Sequence, residues 1–150
     1  MLRLFRNYSN SNDEITISLA QKFGPEPDVG IEKTYCFNIY LNDKNMRRIG
    51  YVDLRVGENE FLYYLGHIGY RINEEYRGHH YAAQAVELVL PFARKQKMKH
   101  LIITCNPDNI ASKKTIENLH ADYLETVKVP EWHELYGRDE KMKCIYEITL

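Results

Sequence analysis

Apolar and polar residues alternate through the first third of the chain. Ile15, Ile17, Leu19, Gln21 and Phe23 interleave with Thr16, Ser18, Ala20 and Lys22. A period of two carried by β-branched residues predicts a half-buried strand. Residues 24–30, with two prolines and two glycines, read as a loop. Tyr35, Phe37, Ile39 and Leu41 repeat the alternation as a second strand, and residues 42–45 form a turn. Ile49, Tyr51, Asp53 and Arg55 alternate with Gly50, Val52, Leu54 and Val56, which predicts a third strand antiparallel to the second. After a turn at 57–60, the strongly apolar stretch 61–72 reads as a fourth strand interrupted by Gly66 and Gly69.

The period then changes. Tyr81, Ala82, Ala85, Val86, Val89 and Ala93 recur at three and four residues, predicting a helix over 79–97. Arg94, Lys95, Lys97 and Lys99 gather at its end, where cations favour the dipole. Pro91 removes the amide that would bond the Glu87 carbonyl, so one kinked helix is expected. The continuous apolar run 101–105 follows this crossover helix, the pattern of a buried parallel strand. Residues 106–109 are a turn that doubles as a helix start, with Asp108 a candidate cap. Ala111, Thr115, Ile116 and Leu119 mark a second, shorter helix. A sixth strand at 123–129, a polar loop with large aromatics at 130–140 and a seventh strand at 142–150 complete the pattern. Residues 1–150 are expected to form one mixed domain.

Composition narrows the function classes. Twenty basic against 21 acidic residues leave a formal charge of −1. No basic field is available to hold bulk nucleic acid, RNA or an anionic membrane. Three cysteines, Cys36, Cys105 and Cys144, lack paired spacing and read as buried free thiols. The opening stretch 1–7 lacks the apolar core of a secretory signal. No run approaches the roughly 18 apolar residues of a membrane span. A cytoplasmic setting is expected, and in it the Asn7-Tyr8-Ser9 sequon has no role.

Two strand-to-helix junctions hold the candidate chemistry. The first contains Arg77-Gly78-His79-His80-Tyr81-Ala82. Free amides at a helix start, the helix dipole and an arginine attract an anion such as a phosphate. A plain surface turn is the alternative. The second contains Asn109-Ile-Ala-Ser112, whose polar residues share one face of the helix start. An N-cap network is the alternative there. Two adjacent parallel strands with such junctions would form a ligand crevice at their carboxyl ends.

Over roughly residues 60–125 these elements resemble the GNAT acetyltransferase superfamily, in the subset of short acetyltransferases with an N-P-D-N-x-A-S segment. The resemblance implies an α/β fold with a mostly antiparallel twisted sheet of about seven strands. A parallel pair would splay at its centre, with the two main helices after strands 4 and 5. It implies acetyl-CoA as cosubstrate and direct transfer of acetyl to a primary amine in a ternary complex. The acceptor would be a small molecule or a protein. The pyrophosphate would rest on Arg77, Gly78, His79, His80, Tyr81 and Ala82. The pantetheine would run beside Tyr70, Arg71 and Ile72, flanked by Asn109 and Ser112. The family pattern at the turn is Arg/Gln-x-x-Gly-x-Gly/Ala, and His80 stands where its central glycine would be. A β-carbon is tolerated there if the residue is already helical.

Many family members place a tyrosine acid for the leaving thiolate where this chain has Ile116. Tyr123 is the candidate substitute, or else a strand-face tyrosine of the core. His67, two residues before Gly69, is the candidate base; the alternative is a half-buried histidine with a backbone partner. Glu60, Trp132 and His133 are candidates for the acceptor side, or else a turn charge and loop packing. His79 and His80 make no metal pair, because neighbours on a helix point apart and no other ligand spacing supports them. Many members build two helices between the first two strands; here only residues 24–33 separate them. A trimmed wall leaves the acceptor site open, or completed by a second copy in a homodimer. Two other functions fit the same residues: a CoA-binding module without turnover, and a structural or interaction domain whose helix starts are plain caps.

Overall fold

The computed structural model describes residues 8–150. The stretch 1–7, read above for a secretory signal, and the sequon's Asn7 lie outside them. Strand β1 (Ser9–Ser11) escaped the periodicity because it is only three residues long. It pairs with β2 (Ile15–Phe23), and β2 pairs with β3 (Lys33–Leu41), all antiparallel. Ile17 opposite Ile39 and Leu19 opposite Phe37 set the core register. A bulge between Leu19 and Gln21 breaks the alternation, so the outer part of β2 is exposed, Phe23 included. Between β2 and β3 lies a 3-10 turn, Pro27–Val29.

Strand β4 (Arg48–Val56) pairs with β3 as expected. The apolar stretch that follows divides in two. Helix α1 (Glu60–Leu65) comes first, and strand β5 is only Ile68–Ile72. Asn59 caps α1 by accepting the Leu62 amide at 2.9 Å, and Phe61 and Leu62 pack against Ile31. Gly66, at φ 89°, ends it in a conformation that favours glycine. The Thr104 hydroxyl donates to the Tyr64 carbonyl at 3.0 Å and lies 3.3 Å from that of Leu65, securing the helix end.

Helix α2 (Tyr81–Lys95) carries Pro91 in its interior. Glu87, whose carbonyl loses its helical partner, is exposed, so water can satisfy it. Ala85, Val86, Val89, Phe92 and Ala93 pack on the first sheet. There the Phe92 ring meets Phe37 edge-on at 5.3 Å.

Among the described residues no parallel strand pair is hydrogen-bonded. Strand β6 (His100–Cys105) pairs antiparallel with β8 (Met142–Thr149), which also pairs with β7 (Asp122–Lys128). The described residues thus form eight strands in two antiparallel sheets, ordered β1-β2-β3-β4-β5 and β6-β8-β7. Strand β6 is buried along most of its length because α1 and helix α3 (Ile110–Asn118) pack against it. A strand covered that way has the same continuous apolar sequence as a central parallel one. A short helix, α4 (Glu134–Gly137), sits in the loop before β8. Cys105 and Cys144 are buried and face each other across β6 and β8, whereas Cys36 is only half-buried.

Candidate functional site

Strands β5 and β6 each form an edge of their own sheet. The His67 amide donates to the Ile102 carbonyl at 2.8 Å, joining the two edges at one end of β5. Farther along, the Tyr70 hydroxyl meets the Ser112 hydroxyl at 2.8 Å. Side chains, not a backbone ladder, therefore span the crevice there. Burial raises the Tyr70 phenol above its usual range, while the Ser112 contact works the other way.

The junction into α2 keeps its backbone free of side-chain caps. Gly78 adopts φ 92°, and a β-carbon there would meet open space. No acidic residue occupies the first turn of α2. Arg77 is less free than expected: its Nε donates to the Ile72 carbonyl at 2.8 Å and its amide to Glu74 at 3.2 Å. His80 is not helical, as its sequence position had suggested. It holds φ 63° at the N-cap, the left-handed region where glycine is at ease. Its Nδ1 accepts from the Asn118 amide at 2.9 Å, tying the start of α2 to the end of α3. The His79 ring packs 5.3 Å from that of Tyr81. Tyr81 and Ala82 form the first turn itself.

At the second junction Asn109, rather than Asp108, caps α3. Its Oδ1 accepts the Ser112 amide at 3.0 Å. The cap reading of Asn109 thus holds, and the same bond positions the Ser112 hydroxyl for Tyr70. Just before it, Asn106 Oδ1 is the one buried side-chain oxygen without a partner among the described residues.

The structure gives His67 another job than that of a base. It is 2% exposed; its Nδ1 accepts the Ile102 amide at 2.9 Å and its Nε2 donates to the Gly57 carbonyl at 2.9 Å. Both nitrogens are engaged, and burial lowers the pKa, so the ring is a neutral clip between β6 and the loop after β4. Tyr123 is 57% exposed and its hydroxyl pairs with Thr126 of its own strand. Ile116 is fully buried in the core.

Glu60, the first residue of α1, and the exposed Trp132 line a hollow of about 390 Å³. Asp28, Gly30, Phe61 and Glu134 complete most of its wall. His133 is not part of it: its ring stacks on Phe61 at 4.3 Å, and Nε2 donates to the Phe61 carbonyl. Near Glu134 lies a cluster that the sequence did not single out. Asp53 and Arg55 project from β4 on the face opposite Val52 and Leu54. Asp53 stands opposite Cys36 of β3 on one side and Gly69 of β5 on the other. The Arg55 guanidinium covers Gly69, where a β-carbon would come 2.7 Å from Nη2, and donates to the Gly66 carbonyl at 2.9 Å. Burial raises the Asp53 carboxyl, against the Cys36 hydrogen bond and the Arg55 charge. Burial first, then Asp53, pushes the Cys36 thiol up to about 12.

The sequence profile of the acetyltransferase (GNAT) domain matches residues 5–122. The chain belongs to the GNAT acetyltransferase domain family. No curated protein matches the sequence. Among solved structures, the ribosomal-protein-S5-alanine acetyltransferase of Vibrio fischeri superposes at a TM-score of 0.66 with 12% identity, over 95% of this chain and 96% of that one. A Salmonella typhimurium acetyl transferase that modifies the N-terminal serine of the 50S ribosomal subunit protein L7/L12 gives 0.59 with 18% identity. A GNAT-family acetyltransferase of Bacillus anthracis gives 0.60 with 20% identity. The last two alignments cover 78% and 76% of this chain but only 64% and 65% of those chains. At these identities the likeness is one of fold.

Within the GNAT domain, the local motifs at 77–82 and 109–112 flank one crevice. The sequence missed Asp28, Asp53, Arg55 and Glu134. Asp53 and Arg55 read as the outer face of a strand, and only the register with β3 and β5 brings them to Gly69. Glu134 depends on the α4 turn inside a loop.

Proposed function

We propose that this GNAT domain transfers acetyl from acetyl-CoA to the primary amine of a cationic acceptor, by direct attack while both are bound. The observation that carries this reading is the crevice between the edges of β5 and β6. It is tied by His67 at one end, bridged by Tyr70 and Ser112, and flanked by the uncapped start of α2. These residues suit acetyl-CoA. The edge of β5 at Tyr70, Arg71 and Ile72, its Ile72 carbonyl already held by Arg77, offers its remaining backbone groups to an extended, amide-bearing arm. The open space at Gly78 and the first-turn amides of α2 suit a diphosphate.

Bound acetyl-CoA supplies an activated thioester. Tyr70, kept protonated by burial, is the donor for the departing sulfur, with Ser112 orienting its hydroxyl. It stands in for the tyrosine that Ile116 replaces. Asn109 fixes Ser112 through its cap bond. On the acceptor side, Asp28, Glu60 and Glu134 place negative charge around the hollow, and Trp132 offers a ring face to a cation.

Calorimetry with acetyl-CoA, and ATP as a phosphate-bearing control, tests the crevice. Saturable binding of acetyl-CoA alone is expected; equal binding of both ligands, or of neither, refutes the reading. Turnover with a panel of small diamines and short peptides with free α-amines tests transfer and separates an enzyme from a CoA-binding module. Tyr70→Phe should lower kcat by about 10²-fold while leaving acetyl-CoA affinity within a few-fold. An unchanged kcat removes Tyr70 as the donor.

A further inference from the structure

We infer that Asp53 is the general base that takes the proton from the acceptor amine. This inference rests on the function proposed above. Asp53 lies directly opposite Gly69 of β5, the strand that walls the crevice. Gly69 has no side chain, and the Arg55 guanidinium from the same face of β4 fills the space over it beside Asp53. His67 cannot serve, since both its nitrogens are committed to backbone groups. Among the described residues Asp53 forms no ion pair within 4 Å.

The groups around Asp53 come from each neighbouring element. Cys36 faces it from β3, Tyr51 and Arg55 share its face of β4, and Arg71 shares that face on β5. Glu134 of α4 acts on Arg55 from the side of the hollow. Burial holds the Asp53 carboxyl above its ordinary range, which makes the carboxylate a better proton acceptor near neutral pH. In the step, one ammonium proton passes to an Asp53 oxygen, and the freed nitrogen lone pair forms a bond to the thioester carbonyl carbon. The carbon–sulfur bond breaks, the sulfur takes the Tyr70 proton, and the second proton lost by the new amide nitrogen restores the Tyr70 hydroxyl. Asp53 returns its proton to water when the product leaves.

The test uses the full chain, acetyl-CoA and the best acceptor of the amine panel. Asp53→Asn should lose about 10²-fold or more in kcat while binding acetyl-CoA as the wild type does. The deficit should shrink with 2,2,2-trifluoroethylamine, a weakly basic amine that arrives already neutral. An Asp53→Asn rate equal to wild type, or an equal deficit for both amines, overturns the assignment. Cys36→Ala gives a second reading if Asp53→Asn fails to fold. It removes a hydrogen bond that lowers the Asp53 pKa, so the acid limb of kcat/KM should move to higher pH. A limb that stays in place overturns the assignment. Wild-type protein that does not bind acetyl-CoA refutes the proposed function and Asp53 falls with it. Binding and turnover with an indifferent Asp53 refute only the base.

Discussion

Two histidines show how burial converts a titratable side chain into a structural one. His67 and His133 each use both ring nitrogens on backbone groups. His100 is different: it lies between Glu147 and Glu58, whose hydrogen bonds raise its pKa. The two shifted groups, His67 and His100, act in opposite directions on stability. His67 has its pKa lowered in the fold, so its contribution is present above the unfolded value of 6.5 and is lost as pH falls below it. His100 has its pKa raised, so its contribution is full below 6.5 and fades as pH rises through the folded value. In the wild type the two slopes oppose each other around pH 6.5. Urea midpoints between pH 5 and 7.5 should therefore decline less above pH 6.5 in His100→Gln than in wild type. Parallel curves would mean that the bonds to Glu147 and Glu58 do not raise the His100 pKa in the fold.

The start of α2 illustrates what an element asks of one residue. His80 at φ 63° occupies a conformation that costs an L-residue about 1–2 kcal/mol, and its bond to Asn118 offsets part of that. His80→Gly should be close to neutral in denaturant unfolding. His80→Ala, which keeps the strain and drops the bond, should cost about 1 kcal/mol more than His80→Gly. Equal stability of the two variants would argue against the strained cap. Elements whose period survives one-sided burial were legible in the sequence, as in β3, β4 and α2. The stretch 61–72 was not, because a short apolar run fits either period. What separates α1 from β5 is a cap at Asn59, which read as part of a turn, and a positive-φ Gly66, which read as an interruption within a strand.

At the scale of the whole molecule, the local halves of the site were visible and the long-range half was not. The turn at 77–82 and the segment 109–112 are each encoded within a few consecutive residues. The Tyr70–Ser112 bridge, the hollow and the Asp53 cluster exist only once β4, β5, α3 and α4 have assembled. The apolar run of β6 likewise announced burial, but its partner, β8, lies some forty residues away along the chain. That arrangement leaves two open sheet edges facing each other across the crevice. Each presents unpaired backbone donors and acceptors, the same template on which strands of a neighbouring chain can add and initiate aggregation. A ligand arm lying along β5 would occupy that template. Light scattering during mild heating should therefore show slower clouding with saturating CoA than without it, by more than ATP achieves. The crevice is then both a binding slot and a place where a second chain can add, and occupancy would govern how long the protein stays in solution.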